Sequence, residues 1–330
     1  MCQNLNDLRK DFQVSKELDP QAAALIEKAL EAGNPEMHEL EPPEARRFFA
    51  ETSKAVAVKK VDVEWVSEHD IPGPNGEIVV RTYWPSDDTG PFPVLVYFHG
   101  GGWVIGGLET HDPVCRWLSV RAQCVVVSVD YRMGPEDKFP AAVEDCVAAT
   151  EWVATPGNLN NIDLARIAVG GDSAGGNLAA VVAQKCVNNP QIQLCYQLLI
   201  YPATDLTRSE ASQTELSEGY RLTGVLMEWF IDHYLNNDEE RTNPDASPLF
   251  AKEVFGLPPA LIITAGFDPL RDEGLRYSEK LTAANVEVKY LCYEGMIHGF
   301  VSMGGWIDKG KEALDLSGDC LADAFSKVEV

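Results

Sequence analysis

Three short stretches carry the side chains with the most chemistry in them. "VGGDSAGGNLA" sets Ser173 inside Gly171-Asp172-Ser173-Ala174-Gly175, after an apolar run and ahead of a run with helical character. G-x-S-x-G between a strand and a helix is the pattern of a sharp turn that lifts a serine above a sheet. The plainer alternative is a helix of small residues that Ser173 caps; the strand before it favours the nucleophile. A serine hydroxyl attacks poorly near neutral pH, so it needs an adjacent base that a carboxylate orients. In this turn the partners follow the serine in chain order, acid first and histidine last. Only His233 and His298 lie downstream of Ser173. His233 falls in an apolar helical stretch, where a packing or surface role suits it better. His298 stands in "YEGMIHGF", just after the last strand candidate, and is the expected base.

For the acid, "LIITAGFDPLRDEG" offers Asp268, Asp272 and Glu273. Asp268 follows the apolar run directly, which puts it at the same sheet edge as His298, because strand ends of a parallel sheet open into one crevice. It is also a natural helix cap ahead of Pro269. Asp272 and Glu273 read as first-turn helix residues. Asp268 is the favoured acid.

The third stretch is "FHGGGWVIGG", from Phe98 to Gly107. Acyl transfer builds a tetrahedral oxyanion, and each preorganised backbone N–H aimed at it lowers the barrier by about 3 kcal/mol. Side chains would bar a carbonyl oxygen from such donors, so glycine suits the task. The N–H groups of Gly101, Gly102 and Ala174 are the expected donors. A phosphate loop fits poorly: Ile105 breaks G-x-G-x-x-G, and no G-K-[ST] follows. His99, upstream of Ser173, is expected to brace the loop by a hydrogen bond.

Positioning these groups requires a sheet. "VDVEWV" and "EIVVRTYW" flank the turn "PGPNG" and predict an antiparallel hairpin. Beyond it, "PVLVYF", "CVVVSVD", "RIAVGG", "CYQLLIYP", "ALIITAG" and "VEVKYLCY" are strand candidates. "AAVEDCVAATEWVA", "GGNLAAVVAQKCVNN" and "GLRYSEKLTAAN" between them read as helices, and a last helix spans about 306 to 325. Continuous apolar strands alternating with helices predict a parallel sheet covered on both faces. "PQAAALIEKALEAGN" and "PPEARRFFAETSKA" predict two helices ahead of it, the first stopping at Gly33 and the second starting near Pro43. Between Pro202 and Pro248 no strand is apparent, and the segment contains the helical "GVLMEWFIDHYL". That length is too great for a plain connection and predicts an inserted lid.

Composition narrows the function classes. With 45% apolar and 24% charged residues, the 330-residue chain is an ordinary globular protein. A net charge of −24 argues against nucleic acid and anionic membranes, both of which call for clustered Lys and Arg. The opening "MCQNLNDLRKDFQ" has no apolar signal core, which predicts a cytoplasmic protein. The eight cysteines form no C-x-x-C pair, and those such as Cys124, Cys186 and Cys292 lie in apolar surroundings, so reduced and packed thiols are expected. No metal-ligand spacing is present, and no cofactor is implied.

HGGG, GDSAGG, DPLRDEG and HGF, in this order, resemble the hormone-sensitive-lipase-like (bacterial family IV) esterases of the α/β-hydrolase superfamily, in the GDSAGG branch. "VSVDYRMGPEDKFPAAVEDC" matches a further stretch of that family, with Met133-Gly134 in place of a commoner Leu-Ala, a difference expected to matter little. The resemblance covers about residue 60 to the end. It implies an α/β-hydrolase fold with a mostly parallel sheet, a Ser173–His298–Asp268 triad, an oxyanion hole at Gly101, Gly102 and Ala174, and a helical cap. The divisions would be cap helices in 1–50, catalytic domain in 51–202 and 248–330, and a cap insertion in 203–247. Trp103, Tyr201, Leu206, Met227, Phe230 and Ile297 are candidates for the substrate pocket. The implied activity is hydrolysis of short- to medium-chain acyl esters. An amidase, deacetylase or peptidase on the same triad is the alternative, with a non-catalytic binding protein a distant third. Family members often pair through the last strand and helix, so a homodimer is implied.

Overall fold

The computed structural model describes residues 17–88 and 90–328; the opening stretch read above for a signal core lies outside them. The strands are β1 (Trp65–Gly73), β2 (Gly76–Trp84), β3 (Phe92–Phe98), β4 (Val125–Asp130), β5 (Ile162–Asp172), β6 (Leu194–Ile200), β7 (Ala260–Phe267) and β8 (Val288–Ile297). They form one sheet in the order β1-β2-β4-β3-β5-β6-β7-β8. β2 runs antiparallel to β1 and β4, and the neighbours from β4 through β8 are all parallel.

All seven residues of β3 are buried. Val94, Val96 and Phe98 join one hydrophobic core, Leu95 and Tyr97 the other, as the two-residue repeat of a strand dictates. On the first face lie α4 (Ala141–Ala154), α5 (Ala174–Cys186) and α7 (Arg271–Ala283); on the second lie α3 (Leu108–Ala122) and α8 (Asp308–Ser326). The expected doubly covered sheet is therefore the observed one. Helix α4 has the bounds expected of it. Helix α3 escaped the sequence reading because buried His111 and Asp112 and the internal Pro113 interrupt its apolar pattern.

The hairpin is shifted from its expected place. Gly73 pairs with Gly76, leaving Pro74 and Asn75 as the turn, and the ladder runs back to Trp65 opposite Trp84. Val61 to Glu64, expected in the strand, fall outside β1, and only the Glu64 N–H reaches β2, at the Trp84 carbonyl, among the described residues. Residues 67–71, left out of the expected strand, belong to it.

Helices α1 (Pro20–Glu31) and α2 (Pro42–Val56) form as the sequence predicts, each with proline in its first turn. Arg46 on α2 reaches the body: its guanidinium donates to the Val104 and Gly134 carbonyls, each at 2.8 Å, and pairs with Glu136. The excursion between β6 and β7 holds a one-turn helix (Ser212–Glu215), α6 (Gly224–Tyr234) and a 3-10 turn (Asp238–Thr242). Glu273 on α7 anchors its start, accepting from the backbone N–H of Thr204 at 2.7 Å and from Gln213 at 2.7 Å. Burial pushes the Glu273 carboxyl well above its usual range, against the pull of those donors. Gly134 matters more than expected. A Cβ there would run into the His233 carbonyl at the end of α6, so the alanine found elsewhere would require that helix to shift.

Arg132 and Asp145 lock the chain between β4 and α4. The buried Asp145 carboxylate accepts from the Arg132 backbone N–H at 2.9 Å and from its guanidinium at 2.7 Å. Removing one partner of a buried pair strands the other. Asp145→Ala is expected to cost about 3 kcal/mol, read as a lower urea midpoint at unchanged slope, with Asp145→Asn losing less.

Candidate active site

The site gathers at the carboxyl ends of β3, β5, β7 and β8. Ser173 occupies the turn between β5 and α5 with φ 57° and ψ −118°, a conformation costly for a residue with a side chain. Its N–H donates to the Ile200 carbonyl at 2.8 Å, and its carbonyl accepts from Asn177 at 3.0 Å, so both sides of the turn are tied down. Gly175 and Gly171 permit the turn by close approach. A Cβ on either would run into the carbonyl oxygen of Phe98 at the end of β3. Helix α5 points its free N-terminal N–H groups at the site and favours negative charge there.

His298 follows the end of β8, and its Nε2 lies 2.9 Å from Ser173 Oγ. Its Nδ1 lies 2.7 Å from Asp268 Oδ2. Asp268 follows β7 and is fully buried, while His298 keeps 12% of its side chain exposed. The other Asp268 oxygen accepts the Leu270 N–H at 2.9 Å. This is a local turn and not the helix cap weighed from sequence, since α7 begins only at Arg271. Asp272 instead accepts from Ser212 N–H at 2.9 Å, and Glu273 holds the insertion. Neither faces His298. His233 lies in α6, with Nδ1 against the Trp229 carbonyl at 2.7 Å, a packing role.

The glycine loop closes the other side. Gly101 and Gly102 have φ +125° and +57°, and neither N–H has an acceptor among the described residues. Ala174 is the first residue of α5, a position whose N–H has no acceptor within the helix. The space beside these glycines is not left open, however. A Cβ on Gly101 would meet the Ile105 carbonyl, and one on Gly102 the ring of Phe230. His99 braces the loop, with Nδ1 2.9 Å from the Gly100 carbonyl and its ring stacked on Tyr131 at 4.3 Å. Burial, with His111 close by, lowers its pKa to about 3, so it stays neutral.

The pocket candidates are all buried, with Met227 and Phe230 keeping slightly more surface than the rest. Phe230 lies over Gly102; Trp103 stacks on Tyr234 at 4.3 Å; the Tyr201 ring stands 4.7 Å from the His298 ring. Leu206 and Ile297 are wholly enclosed. A separate polar hollow, open to solvent and lined by Lys60, Arg81, Glu109, Asp112 and Arg116, has its charges paired among themselves and contains none of these residues.

Sequence reasoning missed a second polar cluster directly under the loop. Asp172 Oδ1 accepts from Tyr97 Oη at 2.7 Å and from Gly100 N–H at 3.0 Å, and His111 Nε2 approaches the same carboxylate at 3.3 Å. Burial opposes the charge, yet His111 and Tyr97 hold the Asp172 carboxyl below its usual range. The available signal was a tyrosine inside the otherwise apolar "FPVLVYF" and an aspartate beside the nucleophile.

Comparison with known proteins agrees with this geometry. A family described as having the alpha/beta hydrolase fold matches residues 95–302. Esterase LipI of Mycobacterium tuberculosis is 44% identical over 247 residues, which cover 74% of this chain and 77% of that protein. The ethyl acetate hydrolase of Pseudomonas putida is 35% identical over 90% of this chain and 96% of its own length. Among solved structures, the hyperthermophilic esterase of Pyrobaculum calidifontis superposes with a TM-score of 0.87 at 40% identity, covering 93% of this chain and 98% of that one. With the nucleophile turn, glycine loop and terminal histidine on one sheet edge, the chain belongs to the alpha/beta hydrolase fold family, in its hormone-sensitive-lipase-like branch.

Proposed function

We propose that the chain hydrolyses short- to medium-chain acyl esters through an acyl-enzyme on Ser173. The observation that carries this reading is the unbroken line from Ser173 Oγ to His298 Nε2 and from His298 Nδ1 to Asp268 Oδ2. As Oγ attacks the ester carbonyl, His298 Nε2 takes its proton, and buried Asp268 holds the ring in the orientation and tautomer that allow it. The carbonyl oxygen gains negative charge and is met by the N–H groups of Gly101, Gly102 and Ala174. His298 then gives its proton to the departing alkoxide. Water repeats the sequence on the acyl-serine and releases the acid. Ser173, His298, the substrate and water account for every proton and electron pair.

The chain is a carboxylic ester hydrolase, and the names of its relatives favour ester over amide cleavage. Phe230 and Met227 form the wall next to the oxyanion donors, backed by Trp103, Tyr201, Leu206 and Ile297. The helices before β1 and the insertion 203–247 serve as the cap over this wall. We place the enzyme in the cytoplasm, a reading supported by the unpaired thiols of the described cysteines. Cys115, Cys124, Cys146 and Cys186 are buried, whereas Cys195, Cys292 and Cys320 are only partly covered, a departure from the packing expected of them. Among the described residues no helix is long and apolar enough to cross a membrane. β8 ends the sheet; Asp19 N–H takes its Gly295 carbonyl at 2.9 Å, and the remainder of that edge fits pairing with a second copy.

A series of p-nitrophenyl esters from acetate to palmitate tests the reading. Turnover is expected to peak at short to medium chains and to fall by about 10⁴-fold or more in Ser173→Ala; a maximum at palmitate would overturn the chain-length assignment. Asp268→Asn should lose roughly 10³–10⁴-fold in kcat while Asp272→Asn stays close to wild type. The reverse result would reassign the acid. Because His99 remains neutral down to about pH 3, His99→Asn is expected to lower kcat without moving the pH–rate profile. The same depressed pKa makes native stability fall as pH drops below the ordinary histidine range toward 3, since the unfolded chain takes up the proton first.

A further inference from the structure

We propose that Asp172 is a positioning residue: it locks the glycine loop against the nucleophile turn, so that the Gly101 and Gly102 N–H groups stay aimed at the reacting carbonyl. The proposal rests on the ester-hydrolase reading above and concerns a residue with no role in the proton transfers. Asp172 directly precedes Ser173, and its carboxylate turns back beneath the loop. It takes the Gly100 N–H at 3.0 Å, which fixes the peptide immediately before the two proposed donors. The far end of the loop approaches the same carboxylate only through Thr110 and His111. Thr110 Oγ1 donates to the Gly107 carbonyl at 2.9 Å and contacts His111 Nδ1 at 2.8 Å, while His111 Nε2 faces Asp172. A carboxylate only accepts, so that ring nitrogen carries its proton toward Asp172. Tyr97 Oη, from β3, completes the set at 2.7 Å. One side chain thus joins β3, β5, α3 and the start of the loop. Gly100 is a glycine for the same reason, because a Cβ there would run into Asp172 Oδ2.

A buried negative charge beside a developing oxyanion opposes the reaction by Coulomb repulsion. If that repulsion dominated, Asp172→Asn would be faster than wild type. If positioning dominates it is slower, because the amide keeps one acceptor oxygen for Tyr97 and Gly100 but sets N–H groups against the His111 N–H, and that repulsion loosens the loop. Small misplacements of a preorganised donor cost on the order of 10²-fold. The sign of the effect therefore separates the two.

The test measures kcat and KM on p-nitrophenyl acetate for wild type, Asp172→Asn, Tyr97→Phe, His111→Gln and Ser173→Ala, with urea midpoints for each. It adds inhibition by a trifluoromethyl ketone, which forms an oxyanion on the serine. Asp172→Asn is expected to lose about 10–100-fold in kcat with KM within about threefold. Ketone affinity should fall by the same factor as kcat/KM, which a general loss of stability would not produce. Tyr97→Phe and His111→Gln, each leaving the carboxylate two partners, should lose about 3–10-fold. They carry the test if Asp172→Asn does not fold. Wild-type or higher kcat in the folded variants, or kcat lost without weaker ketone binding, overturns the proposal. A wild type that turns over no ester at all would instead remove the ester-hydrolase reading, and this proposal with it.

Discussion

The constraint on which the site depends is the approach of two backbones with no side chain between them. Where the turn around Ser173 meets the end of β3, Gly171 and Gly175 both lie against the Phe98 carbonyl. A methyl group on either would push the turn away from the loop that starts one residue later at His99. β3 and β5 are adjacent and in register, Phe98 opposite Gly171, so the proposed nucleophile and the proposed oxyanion donors of the loop arise from neighbouring strand ends. Their spacing is then set by the roughly 4.8 Å between paired strands and not by loop conformation.

Charge is managed within this frame by burial and pairing. Asp268 is wholly enclosed, and its two oxygens are divided between His298 and the Leu270 N–H. Asp172 is almost as enclosed, yet its partners are the loop and the helix behind it. Two buried carboxylates therefore flank Ser173 with separate partners, Asp268 on His298 and Asp172 on the glycine loop. Glu273 and Asp272, near in sequence to Asp268, tie the inserted segment to the body. The insertion is thereby fastened within five residues of the acid. Phe230, carried on its helix, ends up over Gly102.

The sequence made much of this legible, because several of its signals are local. The turn at Ser173, the strand "RIAVGG" before it and the helix of small residues report backbone conformation directly; chain order left His233 and His298 as candidates for the base, and the place after the last strand favoured His298. What was misread depended on distant partners. Helix α3 was overlooked because its buried His111 and Asp112 look polar until Asp172, Lys60 and Arg116 are placed beside them. The hairpin slid because register is settled where its partner strand stops, at Trp84. Met133-Gly134 seemed a neutral difference until the end of α6 closed over it.

The glycine loop shows the division most clearly. From sequence alone its glycines are vacancies through which a substrate oxygen reaches backbone N–H groups. In the folded chain each vacancy is filled, by Asp172 beside Gly100, by the Ile105 carbonyl beside Gly101 and by Phe230 beside Gly102. The sequence by itself determined the strand–turn–helix around Ser173 and the sheet, and it singled out His298 and Asp268, the residues proposed as base and acid. These follow from local conformational preference, hydrophobic period and chain order. Only the tertiary structure decided why the loop holds its shape and what holds it. Those contacts join residues up to about a hundred and thirty positions apart: the register of the parallel sheet brings Asp172 to Gly100, and the inserted helix carries Phe230 to Gly102.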